Sequence, residues 1–307
     1  MAAPEPLPAS ARSAAVERIA AVMAGFSIEA TRPSAADLAA LNRLPRGTRI
    51  YLSAVPRRPA DDVVGTAVRL RAAGFEPVPH VAARNFATRA ALDDFLARLN
   101  GEAEVTRVLV IAGDRAEFGP FRRALDVIDS GLLQQRGIRS IGVAGYPDGH
   151  PRIGADELER SLNDKIAAAE AAGLAVDIVT QFCFEARTIL DYIARLRGSG
   201  VAHPVRIGLA GPTGPASLLR YASRCGVRAS SHALTQRAGL VLQMFAMTVP
   251  DGIVCALADA ALADVRVHFF SFGGLPASAR WASAVAAGGV SVEGNGGFRV
   301  APELQKS

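Results

Sequence analysis

Short apolar runs alternate with longer amphipathic stretches along most of the chain. Most of these runs are continuously apolar, which is typical of strands buried on both faces of a parallel sheet. Eight of them occur, at residues 26–29, 49–55, 77–83, 107–114, 140–147, 176–184, 205–211 and 265–272. The stretches between them predict helices, so the pattern indicates eight strand-then-helix units.

Local signals support the predicted helices. Ser34 is a candidate N-cap with Asp37 three residues later, and glycines such as Gly74 and Gly173 follow the helical stretches before them. Serine is favoured at the start of a helix and glycine just past its end. Eight such units predict an α/β protein built as a single (β/α)8 TIM barrel, with an N-terminal helix before the first strand.

An open, doubly wound sheet is the alternative fold. It usually carries a glycine-rich phosphate loop after its first strand, and residues 30–33 contain no such loop. Segment 217–263, between strands seven and eight, is longer than one helix and predicts an extra helical segment. We expect a flexible N-terminal tail at residues 1–12, the barrel domain at 13–291 and a C-terminal tail at 292–307.

The composition and the distribution of charge indicate which kinds of binding partner to expect. Half of the 307 residues are hydrophobic, which is enough for a large core. The net charge of +5 comes almost entirely from scattered arginines, because Lys165 and Lys306 are the only lysines. No dense basic run is interleaved with aromatic residues, so we expect no nucleic-acid partner.

Cysteine usage and hydropathy bear on the compartment. Cys183, Cys225 and Cys255 are far apart, which predicts free thiols in a reducing compartment. The first 25 residues lack a secretory pattern, and no apolar run reaches the roughly 18 residues of a membrane span. We therefore expect a cytoplasmic protein without a membrane partner. The apolar stretch 238–249 suits a helix packed on the barrel or a subunit interface, which leaves a homo-oligomer open.

Polar side chains gather where the predicted strands end, and the active sites of TIM barrels lie at that end. These positions hold Glu29, Ser53, His80, Asp114, Tyr146, His150 and Gln181. A carboxyl group there is costly to bury without a task, so we expect a raised pKa at Glu29, which suits a general acid. Alternatively, Glu29 and Asp114 cap neighbouring helices or pair with arginine.

Two common barrel chemistries are disfavoured. No strand end carries a lysine for a Schiff base, and no cluster of histidine and aspartate indicates a metal site, so we expect no metal. His203, which precedes a proline, is predicted to lie in a surface loop. His232 and His268 are predicted to be structural histidines.

Three segments at the ends of predicted strands resemble motifs of a known family. Residues 144–151, with the sequence AGYPDGHP, match the A-x-Y-P-x-x-H-P motif of the methylenetetrahydrofolate reductase family. Residues 179–184, with the sequence VTQFCF, resemble its I-T-Q-x-F-F strand. Gly113 and Asp114 match the end of its R-G-D strand.

Two further segments fit the same family. Residues 26–29 followed by Pro33 resemble its opening F-E-x-x-P signature, and Pro79 with His80 matches its strand-three histidine. Each match is weak by itself. Taken in this order and at these strand ends, they make the chain similar to the family from about residue 26 to residue 281.

The resemblance implies an activity and a set of roles. The family reduces 5,10-methylenetetrahydrofolate to 5-methyltetrahydrofolate with FAD as cofactor and NADH or NADPH as co-substrate, in ping-pong fashion through flavin N5. By position, Glu29 resembles the general acid that protonates folate N10, and Asp114 resembles the carboxylate that lies beside the flavin and the pterin. Substrate contacts correspond to Gln181 and Leu209. Cofactor contacts correspond to Ser53, His80, Gly113, Asp114, Tyr146, His150 and Lys165.

Some family positions differ in this chain. Ala112 stands where the R-G-D strand has arginine, Ser161 where a helix has asparagine, and Gly274 where strand eight has a folate-contacting arginine. These differences leave two alternatives open, a flavin-free enzyme with direct hydride transfer and a non-catalytic folate-binding barrel. The sequence does not set the direction of the reaction, so the same fold working in the methyltetrahydrofolate-oxidising direction is a third alternative.

Overall fold

The structure is a computed structural model that describes residues 8–55, 58–116, 119–214, 216–218, 221, 249–293 and 297–301. Its parallel strands close into a barrel in sequential order, and the eighth strand pairs with the first. The strands are β1 Ser27–Ala30, β2 Arg49–Leu52, β3 Glu76–Ala82, β4 Arg107–Ile111, β5 Ser140–Gly145, β6 Ala175–Phe182, β7 Val205–Ala210 and β8 Val265–Phe270. The prediction of a single (β/α)8 barrel is confirmed.

Helices surround the barrel. Within the described residues they are α1 Ala9–Met23, α2 Ala35–Ala40, α3 Ala60–Ala72, α4 Arg89–Ala103, α5 Ala124–Ile128, α6 Leu132–Gln135, α7 Ala155–Ala171, α8 Ala186–Gly198, α9 Asp251–Ala260 and α10 Leu275–Ala286. Ser34 caps α2 as predicted, since its side chain accepts a hydrogen bond from the Asp37 backbone N–H at 3.1 Å. Every helix in this part of the chain is too short or too polar to cross a bilayer.

Some segments differ from what the pattern predicts. Helix α1 begins inside the segment predicted as an N-terminal tail, and α5 and α6 are too short for their periodicity to stand out. Part of the predicted C-terminal tail forms a hairpin of β9 Val290–Val292 and β10 Phe298–Val300. This hairpin is held because Phe298 is buried and stacks on Trp281 with ring centroids 5.8 Å apart.

The segment between β7 and β8 contains helix α9, which fits the predicted extra helical segment. Residues 222–248 of that segment, with Cys225 and His232, lie outside the described residues, and so does Lys306.

Two apolar layers flank the strands, because alternate residues of each strand point outward and inward. Outward residues such as Ile28, Ile50 and Phe269 are fully buried in the large core between the sheet and the helices. Inside the barrel, Tyr51 and Leu109 belong to a small separate cluster at mid-height. The interior is therefore packed, and a ligand has room only at an end of the barrel.

A network of ion pairs occupies the N-terminal end of the barrel interior. Asp177 accepts from Arg49 at 2.8 Å and from Arg206 at 3.3 Å, and Arg107 lies 3.6 Å from the same oxygen. Glu76 accepts from Arg49 and Arg107, each at 3.0 Å. These charges fill the lower end of the barrel, which leaves the C-terminal rim for a site.

Replacing Asp177 by asparagine should lower the free energy of unfolding by roughly 3–5 kcal/mol, because it leaves three arginines without their shared counter-charge. Urea denaturation of the full chain measures this change. The matched control is Asp191→Asn, whose pair with Arg187 is exposed and should contribute at most about 1 kcal/mol. Equal effects of the two substitutions would show that the network does not stabilise the barrel.

Candidate active site

Glu29 is the third residue of β1 and points into the barrel mouth, because Ile28 and Ala30 on either side of it pack outward. Its side chain is only 13% exposed. Ser53, just past the end of β2, donates a hydrogen bond to Glu29 Oε1 at 2.5 Å. On the other oxygen, His268 Nε2 lies 3.4 Å and His80 Nε2 3.6 Å from Oε2. Strands β2, β3 and β8, or the residue that follows the strand, thus each bring one side chain to the carboxyl group that β1 carries.

The pKa of Glu29 follows from these neighbours. Burial by itself raises the pKa, but the charge of His80 and the hydrogen bonds from His268 and Ser53 lower it to about 2. The prediction of a raised pKa is therefore wrong, since it considered burial without the three groups that stabilise the carboxylate. These neighbours favour the ionised form of Glu29.

His268 is held in place by a second hydrogen bond. Its Nδ1 lies 3.0 Å from Ser27 Oγ, and both residues are fully buried. Arg206 Nη1 donates to Ser27 Oγ at 3.4 Å. Because the Glu29 carboxylate can only accept, Nε2 of His268 carries the ring proton and donates to it, and Nδ1 of the neutral ring accepts from the Ser27 hydroxyl. His268 was predicted to be structural; the structure places it in the site instead.

A second polar group lies on the β4 and β5 side of the same rim. Burial and the charge of Asp114 raise the pKa of Tyr146, and the rings of Tyr146 and His150 meet edge to face at 5.4 Å. Gly113 has a φ of +88°, and a Cβ there would lie 3.0 Å from the Ala82 side chain. Glycine is thus required at the turn that precedes Asp114. Asp114, Tyr146 and His150 lie close together as predicted.

Strand β6 has a bulge at the rim that the sequence pattern does not reveal. Its register with β7 shifts between Val179 and Phe182, and Gly208 N–H donates to Thr180 Oγ1 at 2.8 Å in place of a regular ladder bond. Gln181 lies within the bulge, where its Oε1 accepts from the Phe182 N–H at 3.1 Å. Bulges of this kind redirect a side chain at the end of a strand.

Two predicted contacts differ in their surroundings. Lys165 on α7 is buried, its pKa is lowered to about 8 by burial, and no carboxylate of the described chain lies within 4 Å of it. An unneutralised ammonium of this kind suits an anionic ligand.

Leu209 is fully buried in the core between sheet and helices, because the neighbouring Gly208 occupies the inward position. The structure does not bring Leu209 to the rim.

A comparison with known protein families identifies the family of this chain. Residues 62–239, more than half of the chain, match the family described as methylenetetrahydrofolate reductase. The chain belongs to the methylenetetrahydrofolate reductase family. Membership indicates an oxidoreductase that acts on methylenetetrahydrofolate.

One solved structure is also similar. It is the beta-mannanase from Streptomyces thermolilacinus with mannohexaose, at 15% identity and a TM-score of 0.45 over 81% of this chain and 78% of that chain. A similarity at this level does not bear on what the reductase-family chain binds.

Glu29 should remain ionised in acid. With a pKa of about 2, its carboxylate persists at pH 4, where an ordinary glutamate with a pKa of 4.5 is mostly protonated. The infrared difference spectrum of the unmodified protein minus Glu29→Gln should therefore contain a carboxylate band at pH 4. A protonated carboxyl band at that pH would contradict the assignment.

Gly208→Ala tests the bulge. A Cβ at this position would lie 2.5 Å from the Thr180 carbonyl oxygen, so the strand must shift, and we expect a loss of about 1–3 kcal/mol in unfolding free energy. Gly198→Ala is the control, because a Cβ at that position would have nothing within 4 Å of it and the substitution should be neutral. Thermal denaturation compares the two, and equal stability would mean that the bulge tolerates a side chain.

Proposed function

We propose that this chain reduces 5,10-methylenetetrahydrofolate to 5-methyltetrahydrofolate with electrons from NADH or NADPH. The observation that carries the proposal is the Glu29 carboxyl group, held at the rim by hydrogen bonds from Ser53 and His268 with His80 beside it, in a member of this family. The reaction adds a hydride to the exocyclic carbon of the folate and a proton to N10. It therefore needs a proton donor beside a source of hydride.

The residues present fit a flavin. His80 Nε2 is buried, and within the described chain it has no hydrogen-bond partner, since Glu29 at 3.6 Å is too far. A ring nitrogen of this kind can form a hydrogen bond with a nitrogen or oxygen atom at the edge of the flavin ring. Ser53, Tyr146 and His150 would hold the ring, and the ammonium of Lys165 would face the pyrophosphate. Bound FAD would supply a carrier that accepts hydride from the nicotinamide and delivers it to the folate.

Glu29 is the proposed proton donor, which requires it to gain a proton before it gives one. A folate at the rim would shield the carboxyl group from water and compete for the Ser53 hydroxyl, and both effects raise its pKa.

His268 is a positioning residue, because its ring holds the carboxyl group through Nε2. The negative charge of Asp114 would favour the cationic form of the opened folate. Gln181, at the bulge, would contact the pterin and the nicotinamide.

A flavin-free version of the same reaction is the second candidate. Ser161 is exposed on the surface of α7, and Gly274 has no side chain, so two family contacts have no substitute at these positions. The two versions are separated by the absorbance of the purified chain after addition of FAD. A flavin spectrum that NADH bleaches without oxygen supports the flavoenzyme, whereas NADH-driven turnover by a protein that stays colourless supports direct transfer.

Glu29→Gln should lower kcat for folate reduction by roughly 10²–10⁴-fold, because the amide cannot deliver a proton. Folate binding, measured by calorimetry, should survive. His268→Gln should reduce kcat less and displace the pH profile, as expected of a positioning residue. His203→Gln is the matched control, since His203 pairs with Glu170 away from the rim. Chromatographic assay of 5-methyltetrahydrofolate follows turnover, and unchanged kcat in Glu29→Gln would refute the proposed role.

A further inference from the structure

A cavity of about 200 Å³ opens beside Ser53 and His80, between the loops that follow β2 and β3. Its walls are mostly apolar, with Val63 of α3 and Phe86 and Phe95 of the next unit among them. A cavity of about 150 Å³ holds a benzene-sized ligand, so this one accommodates a single ring or a short chain but not a whole dinucleotide.

Arg58 is the charged group of this cavity, and its guanidinium is held by neutral acceptors. Nη1 donates to the Thr31 carbonyl at 2.9 Å, and Nη2 donates to the Asp62 carbonyl at 3.2 Å and to Thr66 Oγ1 at 3.1 Å. Across the described ranges, no carboxylate oxygen lies within 4 Å of it. Arg98, on the neighbouring helix α4, instead pairs with both Asp61 and Glu102. The Arg58 side chain is therefore fixed in position while its charge lacks an ion-pair partner.

The surroundings of Arg58 favour an anion. Burial lowers its pKa, the carboxylate of Asp62 acts in the opposite direction, and the charges of Arg32 and Arg69 lower the pKa further. A negative group near Arg58 would relieve this repulsion. The His80 ring lines the same cavity, and its side chain is only 8% exposed. The cavity thus combines apolar walls, a fixed cation and a buried imidazole ring.

We propose that this cavity binds the anionic end of a ring-bearing ligand, with the anion paired to Arg58 and the ring beside Ser53 and His80. The anion is a carboxylate or a phosphate, since the guanidinium N–H groups that make no hydrogen bond within the described chain can donate a charge-assisted hydrogen bond to either. The binding of an anion in this cavity does not depend on the proposed function, but the source of the anion does. With that function, a carboxylate comes from the folate tail and a phosphate comes from the nicotinamide dinucleotide.

Calorimetry with two small probes tests the subsite on the full chain without turnover. The probes are p-aminobenzoylglutamate, which carries the carboxylates, and inorganic phosphate. At least one should bind the unmodified protein, and Arg58→Gln should weaken that probe about tenfold or more, as expected for a charged hydrogen bond. Preference for the first probe assigns the folate tail, and preference for the second assigns the dinucleotide. Failure of both probes to bind would overturn the proposal.

Two further variants keep the test decisive. Arg71→Gln removes the same charge from an arginine outside the cavity that is likewise held by carbonyl oxygens, those of Ala103 and Glu104, and should change probe affinity by less than about twofold; a loss as large as that of Arg58→Gln would refute a specific site. Ala91→Phe fills the cavity with Arg58 intact and should abolish probe binding even if Arg58→Gln is poorly folded, whereas retained binding would refute the cavity as the site.

A chain that binds the probe through Arg58 yet reduces no folate would refute the proposed reaction and leave the subsite standing.

Discussion

A carboxylate removed from water is stable only where donors converge on it. Glu29 meets this condition because β2, β3 and β8, or the residue that follows the strand, each deliver one side chain to the same point of the rim. The ring of His268 is in turn fixed by Ser27, whose hydroxyl is oriented by Arg206. The functional rim is thereby joined to the ion-pair network at the opposite end, since Arg206 also binds Asp177.

The two ends of the barrel interior differ in how their polar groups are paired. Charges at the N-terminal end are fully paired, and the apolar cluster around Tyr51 and Leu109 fills the middle. At the C-terminal rim, by contrast, His80 keeps a buried ring nitrogen without a hydrogen-bond partner within the described chain. A ligand bound at the rim can satisfy such a group.

The fold and most rim residues could be predicted from the sequence, because they depend on local signals. Continuous apolar runs give the eight strands, Ser34 gives the start of α2, and strand ends give Glu29, His80 and Asp114. The ionisation of Glu29, the role of His268 and the bulge at Gln181 could not be predicted in this way. Each of these depends on which side chains meet across the barrel, and periodicity carries no information about that. Leu209 was assigned to the substrate by the resemblance alone, whereas its alternation with Val205 and Ile207 in β7 places it in the outer core.

The central claim is that Glu29 is ionised in the free protein and takes up the proton that it later donates. Calorimetric titration of 5,10-methylenetetrahydrofolate in buffers of different ionisation enthalpy measures proton uptake on binding. Linkage predicts an uptake of about one proton per folate at neutral pH, absent in Glu29→Gln. Binding without uptake, or the same uptake in both proteins, would contradict this account of the site.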